Sequence, residues 1–449
     1  MKNDLLTGKP VKSIILFALP IMASSMLQYN YNLVDNIIVG RFVGTDALAA
    51  VGSVGAINSF IIGAALGLTS GFTISVAQSF GAGDKRRMNK FAGNSISLSL
   101  IIGVLIVIIA HILCFPLLRL LKTPENIIDI SASYLNVLYF GVPIQMLLNN
   151  FNALSRAVGD SKKPLYFLIA SVIINLCLDL LFVGYFKWGV VGAAWATNIS
   201  QITAMTLVGL YILKYNKELD VTKRDLIPDG KTSWKQLKMG IPISLQFTIT
   251  SIGTMTLQTA VNGFGSDVIA GFTAAGRFEQ LTNIPMSGLG VGTMTFVSQN
   301  YGARNYKRII SSVRKIFFLD ISVSVVCSLL LVFVGPYVVR LFMTEYNESI
   351  MFAAKHYLNA IAQCYSLVAV LFVFRNTLQG MGFTYANTIA GAGELFGRLA
   401  VALIFTPLIG FNAVCYAGPA AWLLADIPLV VLYLIKQNKF KKLLIKENS

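Results

Sequence analysis

Twelve long apolar stretches limit what this chain can fold into more than any other feature of its sequence. Each is about the length that an α-helix needs to cross the hydrocarbon of a bilayer. Because lipid offers the backbone no hydrogen-bond partners, we predict that every stretch is a membrane-spanning helix. The predicted spans are residues 13–38, 47–78, 91–118, 132–155, 164–185, 190–213, 239–262, 268–299, 313–342, 354–379, 385–407 and 413–436.

The composition agrees with a membrane protein. Only 12% of the 449 residues are charged and 55% are hydrophobic, whereas soluble domains are about 25% charged. The net charge of +16 comes mainly from Lys and Arg in the connections between apolar stretches. We interpret this charge as the mark of a cytoplasmic membrane face and expect no nucleic-acid partner.

The distribution of basic residues also predicts the orientation. Lys and Arg concentrate at the two termini and on the even-numbered connections, so the positive-inside rule places both termini in the cytoplasm. The longest basic connection divides the chain into two predicted lobes of six helices. We predict an N-terminal lobe over residues 1–213, a cytoplasmic connecting loop over 214–238 and a C-terminal lobe over 239–449.

An internal repeat with an offset of 221 residues relates these lobes. The stretch GTDALAAVGSVG at 44–55 matches GSDVIAGFTAAG at 265–276, and SVAQSFGAGDKRR at 75–87 matches FVSQNYGARNYKR at 296–308. Gly67 and Gly71 are also glycines in the second copy. Because each copy contains six helices, an even number, both halves have the same orientation in the membrane. The predicted fold is therefore an all-α integral membrane protein of two six-helix bundles related by a pseudo-twofold axis along the membrane normal.

The repeated Gln-x-x-Gly-Ala motifs fall at the ends of the second and eighth spans. We expect these ends to be helix C-caps in which glycine adopts the left-handed conformation. Asp46 and its repeat partner Asp267 follow Gly-Thr or Gly-Ser at the start of these helices, where N-capping and the helix dipole explain them.

Polar residues inside the first-half spans predict a hydrated pocket, because such residues are costly in lipid. They recur at helical spacing in spans one, five and six. The set is Gln28, Tyr31, Asn32, Asp35, Ser171, Asn175, Asp179, Thr197, Asn198 and Gln201, with Asn149, Asn150 and Asn152 in span four. Two acids held together away from water do not both ionise easily. The pair could carry a proton or bind sodium; alternatively, Asp35 caps a wet helix end.

The second half lacks these acids, since Thr256 stands opposite Asp35. It carries Arg277 and Glu279 in span eight instead. Glu394 and Arg398 in span eleven have the spacing of an intrahelical ion pair. We expect Glu279 either to contact substrate or to pair with Arg398.

Aromatic residues and methionine offer adaptable apolar contacts for a substrate. Tyr31, Tyr139 and Met286 are the candidates, and Gln28 is a polar candidate for substrate binding. Pro20 in span one, with Pro242 nearly matched in span seven, predicts a helix bend that serves gating.

No cofactor or enzyme constellation is evident. The GKT at 230–232 lacks the first glycine of a phosphate-binding loop, because residue 225 is Asp225. The energy source is then an ion gradient, with a proton or sodium as the coupling ion. We expect a non-enzymatic, monomeric protein whose partners are the lipid bilayer and small molecules.

Several motifs together resemble bacterial members of the multidrug and toxic compound extrusion (MATE) family over all twelve spans. The motifs are Pro20 with Val34–Asp35, LAAVG at 48–52, QSFGAGD at 78–84, QNYGARN at 299–305, ALSRAVGDSKKP at 153–164, LQGMG at 378–382 and GELFGR at 393–398.

This resemblance implies an antiporter in the bacterial cytoplasmic membrane that expels organic cations and amphiphilic drugs in exchange for protons or sodium. It implies a cation site at Asp35, Asn175, Asp179 and Thr197, joined by Asn152. Gln246 stands where some relatives carry an acid for a second sodium site, which favours coupling in the first half. The alternative function is a lipid-linked oligosaccharide flippase of the same superfamily. A major-facilitator antiporter also has two six-helix halves, but its hallmark loop is only faintly present.

Overall fold

A computed structural model describes residues 5–120, 123–341, 343 and 346–448. Within those residues every regular element is helical. The first half contains α1 (Pro10–Phe42), α2 (Thr45–Gly81), α3 (Lys85–Leu120), α4 (Glu125–Phe140), α5 (Val142–Ala157), α6 (Lys162–Asp179) and α7 (Gly189–Leu210).

The second half repeats this order with more interruptions. It contains α8 (Gly230–Val261), α9 (Ser266–Gly302), α10 (Tyr306–Phe333), α11 (Gly335–Leu341), α12 (Glu348–Gln363), α13 (Ser366–Gly380), α14 (Tyr385–Ala400), α15 (Thr406–Ile409), α16 (Phe411–Cys415) and α17 (Ala417–Asn448). The predicted end of span nine, residue 342, lies outside the described residues.

The twelve predicted spans correspond to these helices. Spans four and ten are bent pairs, α4 with α5 at 46° and α12 with α13 at 53°. Among the described helices, eight are long and apolar enough to cross a membrane alone, and ten are when each bent pair counts as one span. Spans seven and eight, in α8 and α9, complete the twelve.

Widened turns interrupt the helices at matching places in the two halves. A π-helical segment, Leu180–Tyr185, follows α6, and another, Val401–Phe405, follows α14. Their first residues are separated by the repeat offset. A third π-helical segment, Tyr211–Tyr215, follows α7, and a short 3₁₀ turn, Asn262–Phe264, follows α8. π-helical turns occur often at functional sites, so the segment after Asp179 indicates a candidate site at that end of α6.

The helix ends correct one prediction. Gly81 and Gly302 are the last residues of α2 and α9. The left-handed conformation instead belongs to Gly83, with φ of 70°, and to Arg304, with φ of 57°. The left-handed residue therefore lies two positions after the glycine of the Gln-x-x-Gly-Ala motif. In the second half, this residue is not a glycine. Neither α2 nor α9 has a side-chain N-cap hydrogen bond.

The chain forms two compact units whose contents differ from the predicted lobes. The first unit contains residues 23–244, and the second contains residues 5–22 and 245–448 of the described chain. The first half of α1 thus belongs to the second unit, and the first half of α8 belongs to the first unit. Each unit has its own apolar core.

Glycines make these attachments possible. In the first unit, α2 packs on the first half of α8, where Gly67 faces the backbone of Ser244 and Gly71 faces that of Gly240. A Cβ atom on either glycine would collide with that backbone. This close approach of small residues is a common packing mode between membrane helices.

The second unit uses the repeat partners of these glycines. Gly288 of α9 packs against Met22, and Gly292 packs against Ile14 and Ala18, all in the first half of α1. The repeated glycines are therefore packing sites in both units. In the first unit they contact the start of α8, and in the second unit they contact the start of α1.

Polar contacts secure the segment before α1 and the first turns of α8. In the second unit, Asn300 donates to the Leu5 carbonyl over 3.1 Å, and Arg308 donates to the Leu5 and Gly8 carbonyls. In the first unit, the fully buried Gln236 donates to the Phe72 and Phe91 carbonyls.

The connecting segment before α8 also carries an ion pair outside the spans. Lys90 lies 3.1 Å from Asp229. Hydrogen bonds from the Thr232 side chain and backbone, together with Lys90, lower the pKa of Asp229 to about 2. Asp229 therefore stays ionised at physiological pH.

Candidate functional site

The first unit brings two acids together. Asp35 lies on α1, and Asp179 is the last residue of α6, directly before the π-helical segment. Their carboxyl groups are within hydrogen-bonding reach of each other. Asp179 is buried, Asp35 is partly buried, and the Oδ1 atom of each is buried without a hydrogen-bond partner among the described residues.

This arrangement has a simple chemical consequence. An ionised carboxylate only accepts hydrogen bonds, so two carboxyl groups can bond to each other only when one of them carries a proton. No basic residue acts on either acid among the interactions that the structure shows for them. A proton or a monovalent cation is therefore needed to neutralise the repulsion between two buried carboxylates.

Hydroxyl groups border the acid pair. Tyr31, one helical turn before Asp35, shares a 3.2 Å hydrogen bond with Thr197 of α7. The charges of both acids act on Tyr31 and on Tyr134 of α4. Tyr31 and Thr197 thus lie beside the acids as the sequence predicts, whereas Tyr134 was not predicted. Tyr134 gave no distinct signal in the sequence, because α4 also carries charged and polar residues such as Asp129, Ser131 and Asn136.

Short hydrogen bonds hold the helices that carry these side chains. Ser171 of α6 donates to the Ser200 carbonyl of α7 over 2.8 Å, and Asn198 of α7 donates to the Val137 carbonyl of α4 over 2.6 Å. Asn175 is buried one turn before Asp179, and its Nδ2 has no hydrogen-bond partner among the described residues. Asn175 thus offers an additional polar group on the helix face that carries Asp179.

Other predicted site residues lie elsewhere. Asn152 is partly buried in α5 with an unpartnered Oδ1, and none of the described contacts joins it to the acids. Gln28 is exposed on α1. Pro20 lies within α1, which continues through it as one helix.

Two predicted substrate contacts are buried in apolar cores. Met286 is fully buried in the core of the second unit. Tyr139 is 1% exposed and lies edge-on to His111. The prediction placed both against a substrate, but each sits on the inward face of its helix, where neighbouring helices cover it.

The second unit contains a different polar cluster. The intrahelical pair predicted in α14 is present, with Arg398 Nη1 3.3 Å from Glu394 Oε2. Arg375 of α13 lies 3.5 Å from the other Glu394 oxygen. Thr250 of α8 also donates to Glu394, over 3.3 Å, and accepts from Gln246.

Glu279 lies at one side of this cluster. The Tyr357 hydroxyl donates to Glu279 Oε2 over 2.6 Å, and the charge of Arg398 acts on Glu279. The predicted relation between Glu279 and Arg398 is therefore present as an electrostatic contact, supplemented by Tyr357.

Sequence reasoning missed three ionisable residues of this unit. Arg375, Asp426 and Asp320 all lie within helices, at α13, α17 and α10. Asp426 and Asp320 are buried, and none of their carboxylate oxygens has a hydrogen-bond partner among the described residues. The signal was available, because each interrupts an apolar run.

The helical units, the span-length helices and the buried acid pair together define a multi-pass membrane transporter. The chain belongs to the MatE family, whose sequence model matches residues 20–181 and 242–415.

Individual relatives agree with this assignment. The chain is 30% identical to "Probable multidrug resistance protein YpnP" of Bacillus subtilis (strain 168) over 379 residues, 84% of each chain. It is 28% identical to "Probable multidrug resistance protein YoeA" of the same organism over 441 residues, 96% of this chain and 94% of the relative. A solved structure described as "Crystal structure of MATE in the bent conformation" is similar with a TM-score of 0.89 at 26% identity, covering 98% of both chains.

Proposed function

We propose that this protein exports organic cations and other amphiphilic compounds in exchange for protons or sodium. The observation that carries the proposal is the contact between Asp35 and Asp179 in the first unit. A buried pair of acids without a basic partner binds one positive charge reversibly, which is what a coupling site must do. The names of the relatives, which are multidrug resistance proteins, support the substrate class.

The coupling ion acts at the junction of three helices. With a proton or sodium bound, Asp35 of α1 stays next to Asp179 of α6. Loss of the ion leaves two negative charges together, and their repulsion favours separation of α1 from α6. The Tyr31–Thr197 hydrogen bond connects the same movement to α7. Pro20 interrupts the backbone hydrogen bonding of α1 and allows it to bend.

Asn175 and Thr197 supply the neutral oxygen ligands that sodium requires, whereas a proton requires only the two acids. Asn152 would contribute to the site only after a movement of α5. When one net charge crosses the membrane per transport cycle, 100 mV supplies about 2.3 kcal/mol, which supports a substrate gradient of roughly 50-fold. This is sufficient for export from the cytoplasm across the bacterial cytoplasmic membrane.

The test measures ethidium efflux from cells that express the protein, with the proton and sodium gradients collapsed in separate experiments. The wild type should export the dye, and collapse of one gradient should stop it. Asp35→Asn should reduce gradient-dependent efflux to the level of cells without the protein, because an amide at this position leaves at most one negative charge, and loss of the ion then creates no repulsion between α1 and α6. Asp46→Asn, which alters an exposed acid at the start of α2, is the matched control and should export normally.

Two outcomes contradict the proposal. Export by the wild type that is insensitive to both gradients excludes coupling. Full gradient-dependent export by Asp35→Asn, with protein levels equal to the wild type, excludes the acid pair as the coupling site.

A further inference from the structure

Five charged side chains form an alternating series through the second unit. In spatial order they are Glu279 of α9, Arg398 and Glu394 of α14, Arg375 of α13 and Asp426 of α17. Distances of 3.3 Å and 3.5 Å join the two arginines to Glu394. At the ends, Arg398 acts electrostatically on Glu279, and Arg375 acts on Asp426. We call these five residues the charge series.

The charge series contains three acids and two arginines. With every member ionised it carries one excess negative charge. Its residues are enclosed: Glu394 is 3% exposed, Asp426 4% and Arg398 8%. An uncompensated charge is expensive in such surroundings, so the series is most stable when it takes up one positive charge.

The two ends differ in how they can take up that charge. Both carboxylate oxygens of Asp426 are buried without a hydrogen-bond partner among the described residues. A proton is the only cation that needs no further ligands there. Glu279 is only partly buried, and its Oε2 accepts from Tyr357, whose ring meets Phe272 edge-on at 4.6 Å. A carboxylate beside aromatic rings suits an organic ammonium or phosphonium ion.

The two arginines at the centre of the charge series can neutralise the acid at either end. Both arginines share Glu394, so neither is committed to an end acid. When Asp426 is protonated, the arginines are available to Glu394 and Glu279. When a cation neutralises Glu279, Arg375 is available to Asp426, which can then remain ionised.

We infer that the charge series is a second exchange site, which holds either a proton on Asp426 or an organic cation at Glu279. The inference rests on the proposed export of organic cations and adds a binding site in the second unit. The exchange balances in charge and atoms. One organic cation binds as one proton leaves Asp426 for the solvent, and no bond within the cation is formed or broken.

Charged and polar groups surround both ends of the charge series. Arg375 and Glu394 act on Asp426, while Arg398, Tyr357 and Asn283 act on Glu279. Tyr365, bound to Thr282 over 2.6 Å, also experiences the charge of Glu279. Asp320 of α10 is another buried acid of the second unit, and burial is the one influence that the structure shows on it. Asp320 therefore lies outside the charge series and provides a matched control.

The test counts protons released when tetraphenylphosphonium binds to the purified protein in weakly buffered detergent. This ion has no proton of its own to lose. All variants carry Asp35→Asn and Asp179→Asn, which remove the acid pair of the first unit. Bound cation is measured by equilibrium dialysis, and released protons are measured with a pH indicator.

We expect one proton per bound cation in this background and in the added control Asp320→Asn. Adding Asp426→Asn should abolish proton release and weaken cation binding, because the bound cation then leaves one excess positive charge. Asp426→Glu should restore both. Adding Glu279→Gln should abolish both binding and release.

Unchanged proton release in Asp426→Asn overturns the inference, as does loss of release in Asp320→Asn alone. Absence of cation binding in the background protein also overturns it. Each of these results leaves the proposed function intact if wild-type cells still export ethidium with coupling through Asp35. Conversely, one-for-one exchange in this assay does not depend on that efflux.

Discussion

The acid pair of the first unit and the charge series of the second unit solve the problem of buried charge differently. Among the described residues, no arginine acts on Asp35 or Asp179, which leaves their charge to the exchangeable cation that we propose. Glu394 instead has two arginines within 3.5 Å, which are permanent parts of the protein. The comparison teaches that one duplicated scaffold supports both an exchangeable and a largely built-in charge balance.

The scaffold itself has remained alike. Gly67 and Gly71 of α2 have glycine partners in Gly288 and Gly292 of α9, and both pairs hold the first half of another helix. The chemistry has diverged on this common frame. Thr256 stands at the position matched to Asp35, and its hydroxyl only donates to the Ile252 carbonyl of its own helix.

The largest expected effect distinguishes the two kinds of charge balance by stability. Glu394→Gln removes the acid that two buried arginines share, and we expect the free energy of unfolding to fall by about 3–5 kcal/mol. Asp35→Asn removes a repulsion and should leave stability unchanged or slightly higher. Denaturant unfolding of the detergent-solubilised proteins checks both. Equal losses for the two variants would show that the acid pair is a structural ion site, contrary to this comparison.

Alanine substitutions in the two glycine contacts should have smaller effects on the free energy of unfolding, and these effects should differ between the contacts. A Cβ on Gly71 meets the backbone of Gly240, so Gly71→Ala should cost about 1–3 kcal/mol. A Cβ on Gly292 would be 3.4 Å from Ala18 and Ile14, an ordinary contact, and Gly292→Ala should gain up to about 1 kcal/mol from helix propensity.

Gly55 and Gly276 provide the matched controls for that experiment. They are repeat partners with open space where a Cβ would stand, so their alanine variants should behave alike. Equal losses in Gly71→Ala and Gly292→Ala would mean that the two contacts are equally tight.

The smallest expected effect concerns the pH profile of transport. Hydrogen bonds from Thr232 and the nearby Lys90 lower the pKa of Asp229 to about 2. The stability that comes from its ionised form is present above the ordinary aspartate pKa and is lost as the pH falls through the lowered value. Between pH 5 and 8, about the range of a transport assay, Asp229→Asn should therefore leave the shape of the pH profile unchanged. A shifted profile would show that the connecting segment contributes to proton coupling.

Much of the fold was predictable from sequence because it follows from local patterns. Apolar length predicted the spans, and helical spacing predicted both the Glu394–Arg398 pair and the polar face that carries Tyr31 and Asp35. The roles assigned to these residues in transport stay predictions.

What sequence reasoning missed depends on contacts between distant segments. The repeat identified Gly288 and Gly292 but gave no indication that α1 packs on them, since periodicity does not specify a partner. Likewise, the interactions of Arg375 and Asp426 with Glu394 depend on the packing of α13 and α17 near α14, which the sequence does not specify. The burial of Met286 was likewise not predictable, because the sequence does not reveal which face of a helix its neighbours cover.

The division of α1 between two compact units has a consequence for how the protein is made. The first half of α1 leaves the ribosome early, but Gly288 and Gly292, against which it packs, follow only after more than half of the chain has been synthesised. That segment must wait in the membrane without its native partner. A nascent chain halted at the connecting loop would therefore contain six helices yet lack a finished bundle, which makes the whole chain, rather than each repeat, the unit of biogenesis.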